Sequence, residues 1–309
     1  MRSATRESRL PLAHPAVSVR RVRVLVTGAG GQIGRALVSS APPEVEALGL
    51  ARRDFDLTDE SAVERCVREH APDVIVNAGA YTAVDRAESE PEQAAAVNAR
   101  GPRLLATAAR ACGSRLIHLS TDFVFDGRAS RPYHPDSPTG PLGVYGRTML
   151  EGEQAVLTLL PARSVILRTA WVYAAEGRNF LLTMLRLMRA NGAVRVVSDQ
   201  VGTPTAARSV AEVLWRIIAR EDLTGVHHWT AAGVASWYDF AVAIAEEALP
   251  LGLLASEPSV APIRTEDYPT PARRPAYSVL DGSSLGPLGL APIHWRRALR
   301  SVLEEIANA

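Results

Sequence analysis

Apolar and polar positions follow two rhythms along this chain. Val22 to Val26 (VRVLV) is a short β-branched run leading straight into Thr27-Gly28, which predicts a strand ending in a tight turn. From Ile33 to Ser39 the apolar spacing becomes helical. Val45 to Leu50 reads as a second strand. LTDESAVERCVREH then reads as an amphipathic helix to His70, with Thr58 or Asp59 as N-cap. DVIVNAGA, from Asp73, predicts a strand buried on both faces. EPEQAAAVNARGPRLLATAARACG predicts one long helical segment closed by Gly113, and RLIHLST, from Arg115, a fourth strand.

This β-α-β-α order with apolar strands implies a parallel sheet covered by helices on both faces. Arg128 to Gly143 is a Pro/Gly-rich loop, long enough to suggest a functional rim. SVILRTAWVY predicts another strand. Beyond it regularity drops, and short helices are expected between Pro-rich pieces such as YPTPARRP. The expected fold class is α/β, a doubly wound parallel sheet with a smaller C-terminal lobe. Residues 1–21 hold Arg and Pro without a continuous apolar core, so they predict a flexible extension and not a signal peptide.

Composition narrows the chemistry. With 309 residues and a formal net charge of +1, the chain carries no basic footprint for nucleic acid. No apolar run approaches the roughly 20 residues that cross a bilayer. Cys66 and Cys112 form no CxxC pair and read as thiols of a reducing compartment, hence an expected cytoplasmic location. All 34 basic side chains counted as Lys or Arg are arginine. That excludes a lysine Schiff base and a lysine-bearing phosphate loop.

TGAGGQIG places Gly28, Gly31 and Gly34 between a strand and a helix. There, backbone can approach a pyrophosphate and the helix N-terminus can face it. The Rossmann-type dinucleotide domain so implied spans 22–170, and 171–309 is expected to be mostly a substrate-binding lobe with segments returning to the first. The second strand ends in Ala51, Arg52 and Arg53, not in an acid. Guanidinium groups suit a 2′-phosphate, so NADPH is expected, with NADH possible.

VYGRTMLEGE holds Tyr145 four residues before Met149, on one helix face. A tyrosine that delivers a proton is tuned by a nearby ammonium. At about 4 Å and an effective dielectric near 20, one charge is worth roughly 4 kcal/mol, or about 3 pKa units. Methionine supplies none of it. Thr121, at the carboxyl end of the fourth strand, can donate alongside Tyr145, and Asp122 can accept from a sugar hydroxyl.

Together these stretches, with SDQVGTPT and YPTPARRPAYSVLD, resemble the extended short-chain dehydrogenase/reductases and, within them, the dTDP-4-dehydrorhamnose reductase family. The resemblance implies reduction of a dTDP-4-keto-6-deoxyhexose, with Tyr145 as proton donor and Thr121 as its helper. It also implies sugar contacts from Asp122, Trp171 and Arg274. Gly31, Gln32 and Ile33 would meet the pyrophosphate, Asp56 and Leu57 the adenine, and Ala80, Tyr81 and Thr82 the nicotinamide side. Three positions depart from the family pattern: Met149 replaces lysine, Phe123 a tyrosine, and Ala36 a glutamate that helps hold magnesium between subunits in some relatives. No metal is therefore expected, and the chain is expected to be a monomer or homodimer. The alternatives are a ring-contracting sister of the dTDP-dihydrostreptose synthase type and a non-catalytic NAD(P)-binding regulatory protein.

Overall fold

The structure is a computed structural model described over residues 21–309; residues 1–20 of the expected extension lie outside the described residues. Six strands make one parallel sheet: β1 (Val22–Thr27), β2 (Val45–Leu50), β3 (Val74–Asn77), β4 (Arg115–Thr121), β5 (Ser164–Thr169) and β6 (Gly225–His228). Their spatial order is β2-β1-β3-β4-β5-β6. The chain runs from β1 outward to β2 and returns across β1 to β3. The order therefore reverses beside Gly28, which is where a crevice opens in an open α/β sheet.

The all-apolar strands conceal a period of two. Val24 and Val26 point into a core with Leu37, Val76, Val210 and Leu214, while Leu25 points into the opposite core with Val63, Ile75 and Leu105. Helices α1 (Gln32–Ser39), α2 (Glu60–His70), α3 (Gly101–Cys112) and α4 (Val144–Leu159) follow the strands in turn. Asp59 caps α2 by accepting from the Ala62 amide, and Gly113 closes α3 in left-handed backbone at φ 72°.

Three expectations need correction. The segment from Glu90 is not one continuous helix. Pro91–Ala95 is followed by a π turn, Ala96–Arg100, before α3 begins. Pro102 has no N–H to offer the Asn98 carbonyl four residues back, so the helix widens there. The freed carbonyl turns toward α4, where a Cβ on Gly152 would stand 2.1 Å from it.

SVILRTAWVY is not one strand either. β5 stops at Thr169, Trp171 adopts left-handed backbone at φ 49°, and Val172–Tyr173 pairs with Thr205–Ala206 outside the main sheet. The C-terminal half is also more regular than expected. It holds α5 (Phe180–Asn191), α6 (Ala207–Ile218), α7 (Trp237–Ala248) and α8 (Trp295–Ala307), each of 12 or 13 residues. Leu181, Met184, Leu185 and Met188 carry the helical spacing and are all buried. Tyr173, Leu181, Phe240 and Leu299 share a core of their own, while α6 packs on α1 and β6 extends the main sheet. No helix among the described residues is long and apolar enough to cross a membrane.

Gly152→Ala is expected to force α4 off the π turn and destabilise the fold by about 1–3 kcal/mol, as overpacking does. A urea midpoint matching the parent chain would show that the contact has room to relax.

Candidate active site

The glycine turn is built by close backbone contact. Gly28 sits at φ 72°, and a Cβ there would lie 2.4 Å from the Gly79 amide nitrogen. A Cβ on Gly34 would lie 2.3 Å from the Gly28 carbonyl oxygen, so α1 presses directly on the turn. Gly31 is the N-cap of α1 and supplies no capping side chain, which leaves the first amides of the helix unclaimed by one. Asn77, at the end of β3, braces the turn from below. Its Oδ1 accepts from Thr27 Oγ1 at 2.7 Å and from the Gly79 amide at 3.1 Å, and its amide nitrogen faces His118 Nδ1 at 3.0 Å.

A groove of about 760 Å³ opens over this turn. Its walls include Gly28, Gly31, Arg52, Asp56, Leu57, Ala80 and Tyr81, all predicted from sequence. Arg35 and Arg53 join them. Arg35 pairs with Glu176 at 2.6 Å and donates to the Gly30 carbonyl at 3.0 Å. Hydrogen bonds from Thr58 hold the Asp56 carboxyl below its usual range.

Other predicted residues are placed differently. Gln32 turns its side chain to the C-terminal half, donating to the Val172 carbonyl at 3.3 Å and accepting from Asn179 at 2.9 Å. Ile33 packs against the core. Only the backbone of these two faces the turn. Tyr81 sends its hydroxyl to Glu90 at 2.5 Å, and Thr82 is exposed. The Tyr81 backbone is clamped by buried Asn98, whose Oδ1 accepts from the Tyr81 amide at 2.7 Å. The Asn98 Nδ2 donates to the Tyr81 carbonyl at 3.1 Å and to Thr148 Oγ1 at 3.2 Å.

Tyr145 lies in the first turn of α4. That turn has no capping side chain from Gly143; Glu88 accepts from the Val144 amide at 2.8 Å instead. A Cβ on Gly146 would stand 2.2 Å from the Phe123 carbonyl oxygen, so only glycine lets the helix close on the end of β4. The closure brings the phenol beside the Thr121 hydroxyl, and the Phe123 ring meets it edge-on at 5.5 Å. Thr121 donates to Asp122 Oδ1 at 3.1 Å and accepts from the Phe123 amide at 3.2 Å.

Met149, 2% exposed, packs against the same apolar cluster as Tyr145. Burial therefore governs the titrations here. It pushes the Tyr145 phenol up to about 12, against the neighbouring Thr121 hydroxyl and with help from the Asp122 charge. Burial also pushes Asp122 up to about 6, against the Thr121 hydrogen bond and the neighbouring Ser278 hydroxyl; its Oδ2 has no hydrogen-bond partner.

Trp171 holds its strained backbone beside this pair. Its indole stacks on Trp237 at 3.5 Å and 3°, and a Cβ on Gly202 would lie 2.6 Å from the ring. Arg274 does not reach toward Tyr145 in this arrangement. Its guanidinium forks onto Asp85 at 3.0 and 2.9 Å and donates to Thr270 at 2.6 Å, and that partner holds the Asp85 carboxyl low. Among the described residues no group of three or more His, Cys, Asp and Glu side chains could hold a metal ion.

The family model of the RmlD substrate binding domain matches residues 22–308. A dTDP-4-dehydrorhamnose reductase from Streptomyces griseus is 46% identical over 286 residues, covering 90% of this chain and 92% of the relative. The chain belongs to the dTDP-4-dehydrorhamnose reductase family. A probable dTDP-4,6-dihydroxy-2-methyloxan-3-one 4-ketoreductase from Streptomyces antibioticus is 45% identical, covering 93% and 97%. The crystal structure of dTDP-4-dehydrorhamnose reductase from Bacillus anthracis in complex with NADP superposes with a TM-score of 0.87 at 33% identity, covering 92% and 99%.

Sequence reading missed Asn77, Asn98, Glu88 and Arg35. Asn98 left a faint signal, a poor helix former among alanines just before Gly101-Pro102.

Asp122 yields a signed prediction. Its folded pKa stands above its unfolded value, so between about pH 4 and 6 the folded chain keeps a proton that the unfolded chain has lost. Stability falls through that window as pH rises, by roughly 3 kcal/mol for about two units. Asp122→Asn is expected to gain on the parent by about that amount between pH 4 and pH 8 in urea titrations. A pH-independent difference would contradict the buried carboxyl.

Proposed function

We propose that this chain reduces the 4-keto group of a dTDP-6-deoxyhexose, with NADPH as reductant, and that the Tyr145–Thr121 hydroxyl pair delivers the proton. That pair, buried at the carboxyl end of the sheet beside the switch point, carries the reading. In this reading 22–170, with the returning α6 and β6, forms the cofactor half, and most of 171–309 holds the sugar nucleotide.

The residues present suit a dinucleotide. The backbone at Gly28 and Gly34 leaves no space for side chains, and the α1 N-terminus offers amides and the positive end of its dipole. Arg52, Arg53 and Arg35 gather cations along the same groove, as a 2′-phosphate requires. When bound, NADPH supplies the hydride.

The protein's own part is the proton. As hydride reaches the carbonyl carbon, negative charge develops on its oxygen. Tyr145 gives that oxygen its phenolic proton, and the Thr121 hydroxyl swings its one proton from Asp122 to the same oxygen as charge builds. A phenol near 12 remains a far stronger acid than the conjugate acid of an alkoxide, comparable to water at about 15.7. Donation is therefore downhill without an ammonium at position 149. The reverse reaction, alcohol oxidation, needs the phenolate, which is scarce at neutral pH for so weak an acid. Met149 thus fits an enzyme used for reduction, and the missing lysine does not argue for a dead site. Asp122 accepts from a sugar hydroxyl, and the exposed edge of Trp171 offers an apolar wall.

The purified protein is expected to oxidise NADPH only when a dTDP-4-keto-6-deoxyhexose is added, read at the NADPH absorbance band. NMR of the product should show a six-membered ring; a five-membered ring would assign the ring-contracting chemistry. Tyr145→Phe should lower kcat by about 10²–10⁴-fold, the usual worth of a positioned acid. Tight NADPH binding with no turnover would mark a regulatory protein.

Met149→Lys is expected to bring the Tyr145 titration down by roughly 1–3 pH units, the effect of a close opposite charge. It should bring the onset of alcohol oxidation, which needs the phenolate, down to lower pH and change the rates in both directions. If the phenol midpoint and both rates stay unchanged, the assignment of the missing charge is wrong.

A further inference from the structure

A second polar cluster lies beneath the hydroxyl pair, and the proton chemistry does not use it. Glu153 follows Tyr145 by eight residues on α4 and is 1% exposed; Arg168, on β5, is 4% exposed. The guanidinium meets the carboxylate as a fork, Nε to Oε1 at 2.8 Å and Nη2 to Oε2 at 2.6 Å. Ser120, the residue before Thr121, donates its hydroxyl to the same Oε1.

The third guanidinium nitrogen, Nη1, donates to the Pro135 carbonyl in the rim loop at 3.2 Å and faces His228 Nε2 at 3.4 Å. With Nε2 as acceptor, His228 keeps its proton on Nδ1 and donates it to the Tyr133 carbonyl at 3.0 Å. The Phe125 ring closes the cluster, 5.1 Å from the guanidinium carbon. One arginine therefore holds α4, β6 and the rim loop, and Glu153 adds the end of β4 through Ser120.

Two charges so deeply buried are a poor source of stability. Desolvation offsets their attraction, and an apolar pair of equal volume often does as well or better. What an apolar pair lacks is direction. A fork fixes both the rotation of α4 and its height along the sheet, and Ser120 ties that height to β4. Tyr145 stands about 12 Å further along the helix, by the helical rise, and Thr121 is the next residue along the strand.

We propose that Glu153 and Arg168 are positioning residues that set the register in which the Tyr145 hydroxyl meets the Thr121 hydroxyl. The inference rests on that hydroxyl pair being the proton-delivering site.

The test is the full-length double variant Glu153→Met/Arg168→Met, which fills the space without direction. It is expected to fold with a single cooperative transition and to bind NADPH within about twofold of the parent, since the glycine turn is remote. Its kcat should fall at least tenfold while KM for the dTDP-4-keto sugar changes little. With ¹³Cζ-labelled tyrosine, the Tyr145 resonance, assigned through Tyr145→Phe, should split or titrate at a different pH. Arg168→Lys, which keeps charge and loses the fork, should fall between parent and double variant.

A folded double variant with parental kcat and an unmoved Tyr145 resonance overturns the proposal. If the parent itself shows no turnover, the reductase reading fails, and the Tyr145 resonance alone decides the positioning role. If the double variant does not fold, Glu153→Gln decides it by the same two readouts.

Discussion

The site depends on how closely two helices approach the carboxyl edge of the sheet. The Tyr145 phenol stands beside the Thr121 hydroxyl because α4 closes on the backbone of the turn after β4, with Gly146 against the Phe123 carbonyl. The same helix closes on the π turn through Gly152 against the Asn98 carbonyl. On the other side of the switch point α1 closes on the glycine turn through Gly34. Each contact is backbone against backbone, which fixes position more firmly than long side chains do. Between them, the groove over the glycine turn and the Tyr145 phenol are set relative to one scaffold, the parallel sheet.

On that scaffold the electrostatics are unusual by omission. The apolar cluster around Tyr145 includes Met149, Phe125 and Val144, and burial is the main cause that raises the phenol. A site of this kind donates a proton readily to a strong base and surrenders it to nothing weaker. The carboxylate of Asp122, itself pushed toward neutrality by burial, adds to the phenol's reluctance to ionise. Charge is kept one layer down, where Glu153 and Arg168 neutralise each other.

Much of this was legible in sequence because it is local. Strand runs, the glycine turn, the α2 cap and the Gly113 stop each depend on neighbours within a few residues, and the Tyr145–Met149 face follows from helical repeat. What escaped depends on distant partners. The break at Trp171 answers to Gly202 and Trp237, and the fork of Arg274 answers to Asp85. Asn98 gains its role only when the chain folds Tyr81 against it. The π turn was within reach, since Pro102 removes a donor that the Asn98 carbonyl needs, yet helical composition concealed it.

The central claim is that a buried, uncharged phenol, unaided by an ammonium, delivers the proton during reduction. The alkaline limb of kcat for NADPH-dependent reduction tests it most directly. With Tyr145 near 12, kcat should stay flat from neutrality to beyond pH 9. A loss of activity centred between pH 7 and 8, absent in Tyr145→Phe, would show that some other group lowers the phenol and would contradict the account.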